Sequence, residues 1–207
     1  MDALVKTYNE KCNKHSDINE HLPTLRKYAK ECESVLELGV RGIVSTWAFT
    51  MGLMENNKNI RHIFLNDLNK CDISNYLSTT KDLNIDVSYE WIDDLKLEIN
   101  KEYDLTFIDT WHVYGQLKRE LDKFSKCTRK YIIMHDTTVD EIYGETIRCM
   151  GGISTAKAQS KSTGIPVDEI MKGLWPAVEE FLDSHEEWKL KERFTNNNGL
   201  TILERTA

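Results

Sequence analysis

The segment Val35-Leu36-Glu37-Leu38-Gly39-Val40-Arg41-Gly42-Ile43-Val44-Ser45 constrains this chain more than any other. A β-branched and aliphatic run ends in an acidic residue and two glycines, and Ser45 to Met54 then carries a helical pattern. That order reads as a strand, a tight turn and a helix start. Glycine reaches backbone torsions closed to other residues and lets a ligand approach the main chain, while the free amides at a helix start favour an electron-rich or anionic group. A nucleotide-like cofactor suits such a turn. The glycines follow Glu-x-Gly-x-x-Gly, with Glu37 where the dinucleotide fingerprint has its first glycine. A carboxylate there repels a pyrophosphate and attracts a cationic, phosphate-free cofactor. The competing explanation is an ordinary strand-to-helix turn with no ligand.

Length and charge narrow the classes further. A chain of 207 residues is long enough for one domain with a sizeable core and short for two. The net charge of -7 argues against nucleic acid as a partner, because phosphate binding is dominated by Lys and Arg. The cysteines, Cys12, Cys32, Cys71, Cys127 and Cys149, are scattered, with no Cys-x-x-Cys pair, as expected of reduced thiols in a cytoplasmic protein. No apolar run approaches the roughly 18 residues that span a bilayer, so no membrane partner is expected.

Short apolar runs alternate with helical patterns along the chain. Strands are expected at 34–40, 61–66, 85–92, 104–109, 130–134, 187–195 and 199–204, and helices at 44–54, 73–83, 115–126 and 174–183. Such alternation indicates an α/β fold with a mostly parallel sheet and helices on both faces. The turn signal Asn196-Asn197-Asn198-Gly199 joins the last two strands as an antiparallel hairpin. Residues 1 to 33 read as one or two amphipathic helices that cap the fold or the cofactor site. Residues 143 to 166 carry Gly144, Gly151, Gly152 and Gly164 with little apolar periodicity, and read as a long insertion of the lid or binding-loop kind.

In a doubly wound sheet, ligands bind beyond the carboxyl ends of the strands, so the residues there are the candidates. Asp67 follows the second strand and could accept both ribose hydroxyls of a nucleoside, or cap a turn. Asp93 and Asp94 follow the third, and either could accept from an adenine amino group or sit in a solvated turn; Asp93 is the expected acceptor. The fourth strand ends in Asp109-Thr110-Trp111-His112 and the fifth in His135-Asp136. Carboxylates at adjacent strand tips repel unless one is protonated or a cation lies between them, which points to a divalent metal. Hydrogen bonds from loop amides are the metal-free alternative. Trp111, between site residues, is placed to stack on cofactor or substrate, whereas Trp47, Trp175 and Phe181 fit the core.

The glycine turn resembles the first motif of the class I S-adenosylmethionine-dependent methyltransferases, whose cofactor carries an ammonium and a sulfonium. That resemblance implies a Rossmann-like, seven-stranded sheet and assigns Glu37, Gly39, Arg41, Gly42, Ser45, Asp67, Asp93 and Asp109 to S-adenosylmethionine. The segments Phe107–Tyr114 and Ile132–Thr137 resemble the metal-dependent O-methyltransferase branch that acts on sugars of macrolides, which includes proteins called cephalosporin hydroxylases. So does the closing segment, from Gly173-Leu174-Trp175-Pro176 to Asn196-Asn197-Asn198-Gly199-Leu200. By resemblance, Asp109 and Asp136 match two metal ligands and His112 the general base, which suits an imidazole with an ordinary pKa of about 6.5. The sugar-acting relatives have a carboxylate before the second Asp, and this chain has His135 there. An imidazole ligand would shift preference from Mg²⁺ towards Mn²⁺ or another transition ion, and the alternative is that His135 does not ligate.

The resemblance thus implies metal-assisted methylation of a hydroxyl on a small-molecule substrate such as a sugar. Two other classes stay open. One is an oxidoreductase or hydroxylase, since Asp109 and the histidines imitate a two-His-one-carboxylate iron site. The other is a catalytically silent adenosine-binding domain. The Asn-Pro-Pro-Tyr or Asp-Pro-Pro-Tyr tetrad common in amino-methylating enzymes of DNA has no counterpart among Pro23, Pro166 and Pro176. The acceptor is not identified by sequence, and a homo-oligomer is left open because lid segments of this kind pack against a second subunit in relatives.

Overall fold

The computed structural model describes residues 1 to 206. Two helices, α1 (Asp2–Asn13) and α2 (Leu22–Ala29), precede an alternation of β1 (Ser34–Leu38), α3 (Ser45–Glu55), β2 (His62–Asp67), α4 (Ser74–Thr80) and β3 (Asp86–Trp91). Next come β4 (Tyr103–Ile108), α5 (Tyr114–Phe124) and β5 (Thr128–His135). The helices α6 (Glu145–Arg148), α7 (Ile153–Thr163), α8 (Val167–Met171) and α9 (Trp175–Ser184) then lead to β6 (Trp188–Phe194) and β7 (Leu200–Arg205).

The seven strands form one sheet in the order β3-β2-β1-β4-β5-β7-β6. Strand β7 is antiparallel to β6, as the Asn-Gly hairpin requires, and also to β5, and the other pairings are parallel. This is the expected Rossmann-like architecture. Strand order reverses between β1 and β4, which places a crevice at their carboxyl ends.

Alternation along the strands feeds two cores. Val35, Ile63, Leu65, Leu105, Phe107 and Ile133 face the side covered by α1 to α4, where Leu25, Tyr28, Trp47, Phe49 and Leu53 meet them. Leu36, Leu38, Ile108, Ile132 and Met134 face the other side, against Leu117, Leu121 and Phe124 of α5 and Val178 and Phe181 of α9. Burial on both faces explains why these strands read as continuous apolar runs. The N-terminal helices belong to the first core: a Cβ on Gly52 of α3 would collide with the Arg26 carbonyl of α2, so those helices cross at backbone contact.

The insertion needs correction. Residues 143 to 166 are not an irregular loop but contain α6 and α7, and Ala156 and Ile165 join Val113 and Ile170 in a small core of their own. Glycines mislead here: Gly144 and Gly152 sit immediately before helices, and Gly164 ends α7 in the left-handed conformation. Trp111 is half-buried and packs against this small core. Trp47 and Phe181 are buried as expected.

Candidate functional site

The turn after β1 is held from both sides. The Gly39 amide donates to the Asn66 carbonyl at the tip of β2, and the Asp109 amide donates to the Leu38 carbonyl. Gly39 has φ +89°, and a Cβ there would collide with the Asp109 carbonyl oxygen. Torsion and close approach both demand glycine. Gly42 is different, because a Cβ there would meet only Val44, at 4.0 Å. Packing does not require it, and its bare main chain leaves room for a ligand. Arg41 and Ile43 have φ of +38° and +51°. A β-branched residue in that region is strained, and such strain concentrates at binding turns.

Glu37 and Ser45 lie elsewhere than the motif reading placed them. The register of β1 turns residue 37 towards α3, where its side chain is fully buried and accepts a hydrogen bond from the Ser45 hydroxyl. Burial pushes the Glu37 carboxyl up to about 8, against the opposing pull of that hydrogen bond. It is neutral at pH 7 and lies beneath the turn, so it presents no charge to a cofactor. Ser45 likewise points inward. What α3 offers a ligand is main-chain amide, since no side chain caps its start.

Asp67 stands at the rim of this turn. Its Oδ2 accepts from the Arg41 amide at 2.9 Å and its Oδ1 from the Asn69 amide at 2.8 Å. It therefore shapes the turn while remaining half-buried. The Arg41 guanidinium reaches away to Asp17 in the N-terminal segment, at 2.8 Å. Asp93 accepts from the Leu95 amide at 3.1 Å and pairs with Lys96. Asp94 is buried against Gln116 and Glu120 of α5, which leaves Asp93 as the accessible acid of the two. Leu68 and Ile92, one residue beyond β2 and β3, are exposed apolar side chains that the sequence reading passed over.

The tips of β4 and β5 bring four expected residues together. His112 Nε2 lies 3.2 Å from Asp109 Oδ1 and 3.1 Å from Asp136 Oδ2. His135 Nδ1 lies 3.5 Å and 3.2 Å from the same two oxygens. Asp109, His112 and Asp136 each offer one ligand atom, all within 4.8 Å of one another, a group that could hold an ion. Asp136 takes φ +57°, a left-handed conformation at the strand end.

Electrostatics sharpen the picture. Burial alone would raise the Asp109 carboxyl, but the adjacent His112 and His135 imidazoles outweigh it and hold it well below the ordinary carboxylate range. Burial opposes charge on His112, yet Asp109, Asp140 and Asp136 raise its imidazole well above the ordinary value. Against the same burial, Asp109 and Asp136 raise His135 to about 10. His112 is therefore not the free imidazole expected of a general base: four carboxylates surround it, since its Nδ1 also lies 3.4 Å from Asp140 Oδ2 and 3.6 Å from Glu145 Oε2.

Asp140, Glu145 and Arg148 border this cluster and were not among the residues expected from the sequence. Asp140 is fully buried, takes two hydrogen bonds from Arg148 at 2.6 and 2.8 Å, and returns its amide to the Asp136 carbonyl. The spacing of four residues from Asp136 was a signal of one helical turn. Glu145 donates its amide to the His112 carbonyl, so the insertion is tied directly to the site. A groove of about 630 Å³ lies elsewhere, between α4 and β3, and is lined by Ile73, Leu77, Val87, Tyr89 and Trp91. None of the site acids or histidines faces it.

No protein-family model matches this chain, and no curated protein matches it. Solved structures do. The chain is similar to the N-methyltransferase NodS from Bradyrhizobium japonicum WM9, with 15% identity over 92% of this chain and 97% of NodS, at a TM-score of 0.56. An O-methyltransferase from Bacillus cereus, in complex with SAH, matches with 13% identity over 99% of this chain and 90% of its own, at 0.59. The O-methyltransferase TomG from Streptomyces achromogenes, in complex with SAM, matches with 10% identity over 94% and 82%, at 0.54. At such identities the likeness is one of fold, and the chain has the fold of the S-adenosylmethionine-dependent methyltransferases.

Proposed function

We propose that this protein is an S-adenosylmethionine-dependent O-methyltransferase that methylates a hydroxyl of a small molecule with the help of a divalent ion. The convergence of Asp109, His112, His135 and Asp136 beside the glycine turn carries this reading. The donor set suits an ion. Asp136 Oδ1 and His135 Nδ1 are buried with no hydrogen-bond partner, and His112 Nε2 faces two carboxylates while its Nδ1 faces Asp140. An imidazole held by a carboxylate on its far nitrogen is the usual setting of a metal-bound histidine. Two nitrogen and two oxygen donors favour Mn²⁺ or another transition ion over Mg²⁺.

S-adenosylmethionine supplies an electrophilic methyl group, and an ion at the acid pair would lower the pKa of an acceptor hydroxyl. Alignment is the remaining task of the chain. Asp67 and the open main chain near Gly42 fit the adenosyl moiety, with Asp93 as the adenine acceptor. Asp140 and Arg148 orient His112 as a ligand in place of the base role first expected for it. Glu145, whose carboxyl burial pushes upward, is the neighbour best matched to take a proton. The macrolide-sugar branch remains the reading of the acceptor class. The five thiols are unpaired, which supports a cytoplasmic setting, and no described helix is long and apolar enough to cross a membrane.

Calorimetric titration of S-adenosylhomocysteine and of Mn²⁺, followed by S-adenosylhomocysteine release with hydroxyl acceptors, tests this reading. Binding of both and Mn²⁺-dependent release are expected; a folded protein that binds neither would end it. The pair of histidines beside Asp109 and Asp136 favours one second reading, an iron hydroxylase. Fe²⁺-dependent oxygen uptake without S-adenosylmethionine would identify that.

A further inference from the structure

The segment between α1 and α2 runs across the tips of β1 and β5, and Asp17 touches both. Its main-chain carbonyl lies 3.1 Å from His135 Nε2, beside the Asn197 carbonyl at 3.2 Å. Carbonyls only accept, so Nε2 carries the hydrogen. His135 Nδ1 is thereby turned to Asp109 and Asp136. The Asp17 side chain meanwhile accepts from Arg41 Nη2 at 2.8 Å, and the Arg41 amide donates to Asp67. The strap is itself clamped by the β6–β7 turn: Asn197 Nδ2 donates to the Ser16 carbonyl, and Asn197 Oδ1 accepts from the Glu20 amide.

We propose that Asp17 is a positioning residue that couples the glycine turn to His135, so that a ligand in the turn tightens ion binding at the strand tips. The inference rests on the cofactor and metal assignments above. An ion pair as exposed as Asp17 and Arg41 adds little to overall stability. Its placement between two sites is what gives it a function. A ligand that fixes Arg41 fixes the Asp17 carboxylate, and with it the carbonyl that sets the ring of His135. A second-sphere contact of this kind tunes metal affinity without touching the ion.

The test is a linkage measurement on the full chain, with Mn²⁺ titrated in the absence and presence of saturating S-adenosylhomocysteine. The wild-type protein should bind Mn²⁺ about fivefold more tightly with the nucleoside present. Asp17→Ala and Asp17→Asn should bring that ratio to about one while each ligand still binds alone. Asp17→Arg combined with Arg41→Asp should restore it, which a merely structural role for either residue would not predict. A ratio near one in the wild type, or a ratio unchanged in Asp17→Ala and Asp17→Asn, would overturn the coupling. Loss of Mn²⁺ binding in those variants whether or not the nucleoside is present would overturn it as well. Failure of the wild type to bind either ligand alone would instead strike the functional reading beneath it.

Discussion

Two pairs of acids lie beside α5, and different neighbours surround them. Asp109 and Asp136 face two imidazoles, which hold the Asp109 carboxyl well below the ordinary carboxylate range. Asp94 and Glu120 face each other, with Gln116 and Thr110 as neutral donors. Lys123 is near, but its ammonium donates to the Asp94 and Leu97 carbonyls. Burial and the adjacent Asp94 raise Glu120 well above the ordinary value, and burial likewise raises Asp94, so the pair keeps a proton. A carboxylate pair is thus no metal site by itself. It becomes one where the second partners are nitrogen donors that can exchange a proton for an ion.

Substitutions can break this contrast. Asp136→Asn should abolish Mn²⁺ binding and lower turnover on the order of 10³-fold, whereas Glu120→Gln should leave Mn²⁺ binding intact. Titration of Mn²⁺ into both variants decides it. Asp140→Asn acts one contact further out, on the ring of His112, and should weaken Mn²⁺ binding by about 10- to 100-fold. The ion must displace protons from His112 and His135, whose imidazoles are both raised, so affinity should climb with pH by up to about tenfold per unit for each proton displaced. A flat profile from pH 6 to 9 would mean that neither ring is a ligand.

Stability sharpens the other half. Glu120 holds a proton in the folded chain that the unfolded chain releases above the ordinary glutamate value, so the folded state binds more protons and loses stability as pH rises. The loss continues until the buried carboxyl itself ionises. Glu120→Gln should remove a slope of about 1.4 kcal/mol per pH unit over that window. Urea unfolding at pH 6 and pH 8 measures the difference, and parallel slopes in wild type and variant would place the proton elsewhere.

Legibility varied with the locality of the cause. The sheet, the hairpin and Asp109, His112, His135 and Asp136 were visible because apolar alternation and position after a strand are properties of short windows. Boundaries moved by one to three residues: the first strand stops at Leu38 because Gly39 already turns, and the helix expected at 73–83 ends at Thr80. Glu37 and Ser45 were misplaced because a motif names residues without saying which face of the strand they occupy. The helices of the insertion were hidden by glycines that end and start them. His112 looked like a base because the carboxylates around it come from β4, β5 and the segments that follow.

By itself the chain determined which residues could meet, since a run of alternating strands and helices with one crossover reversal sends the ends of β1, β4 and β5 to one place. Only the tertiary structure decided their charge and role. The proton on an acid or an imidazole depends on burial and on neighbours within a few ångströms, and at Asp109, Glu120 and His135 those neighbours are brought together across the fold, from Asp17 and Asp94 to Asn197.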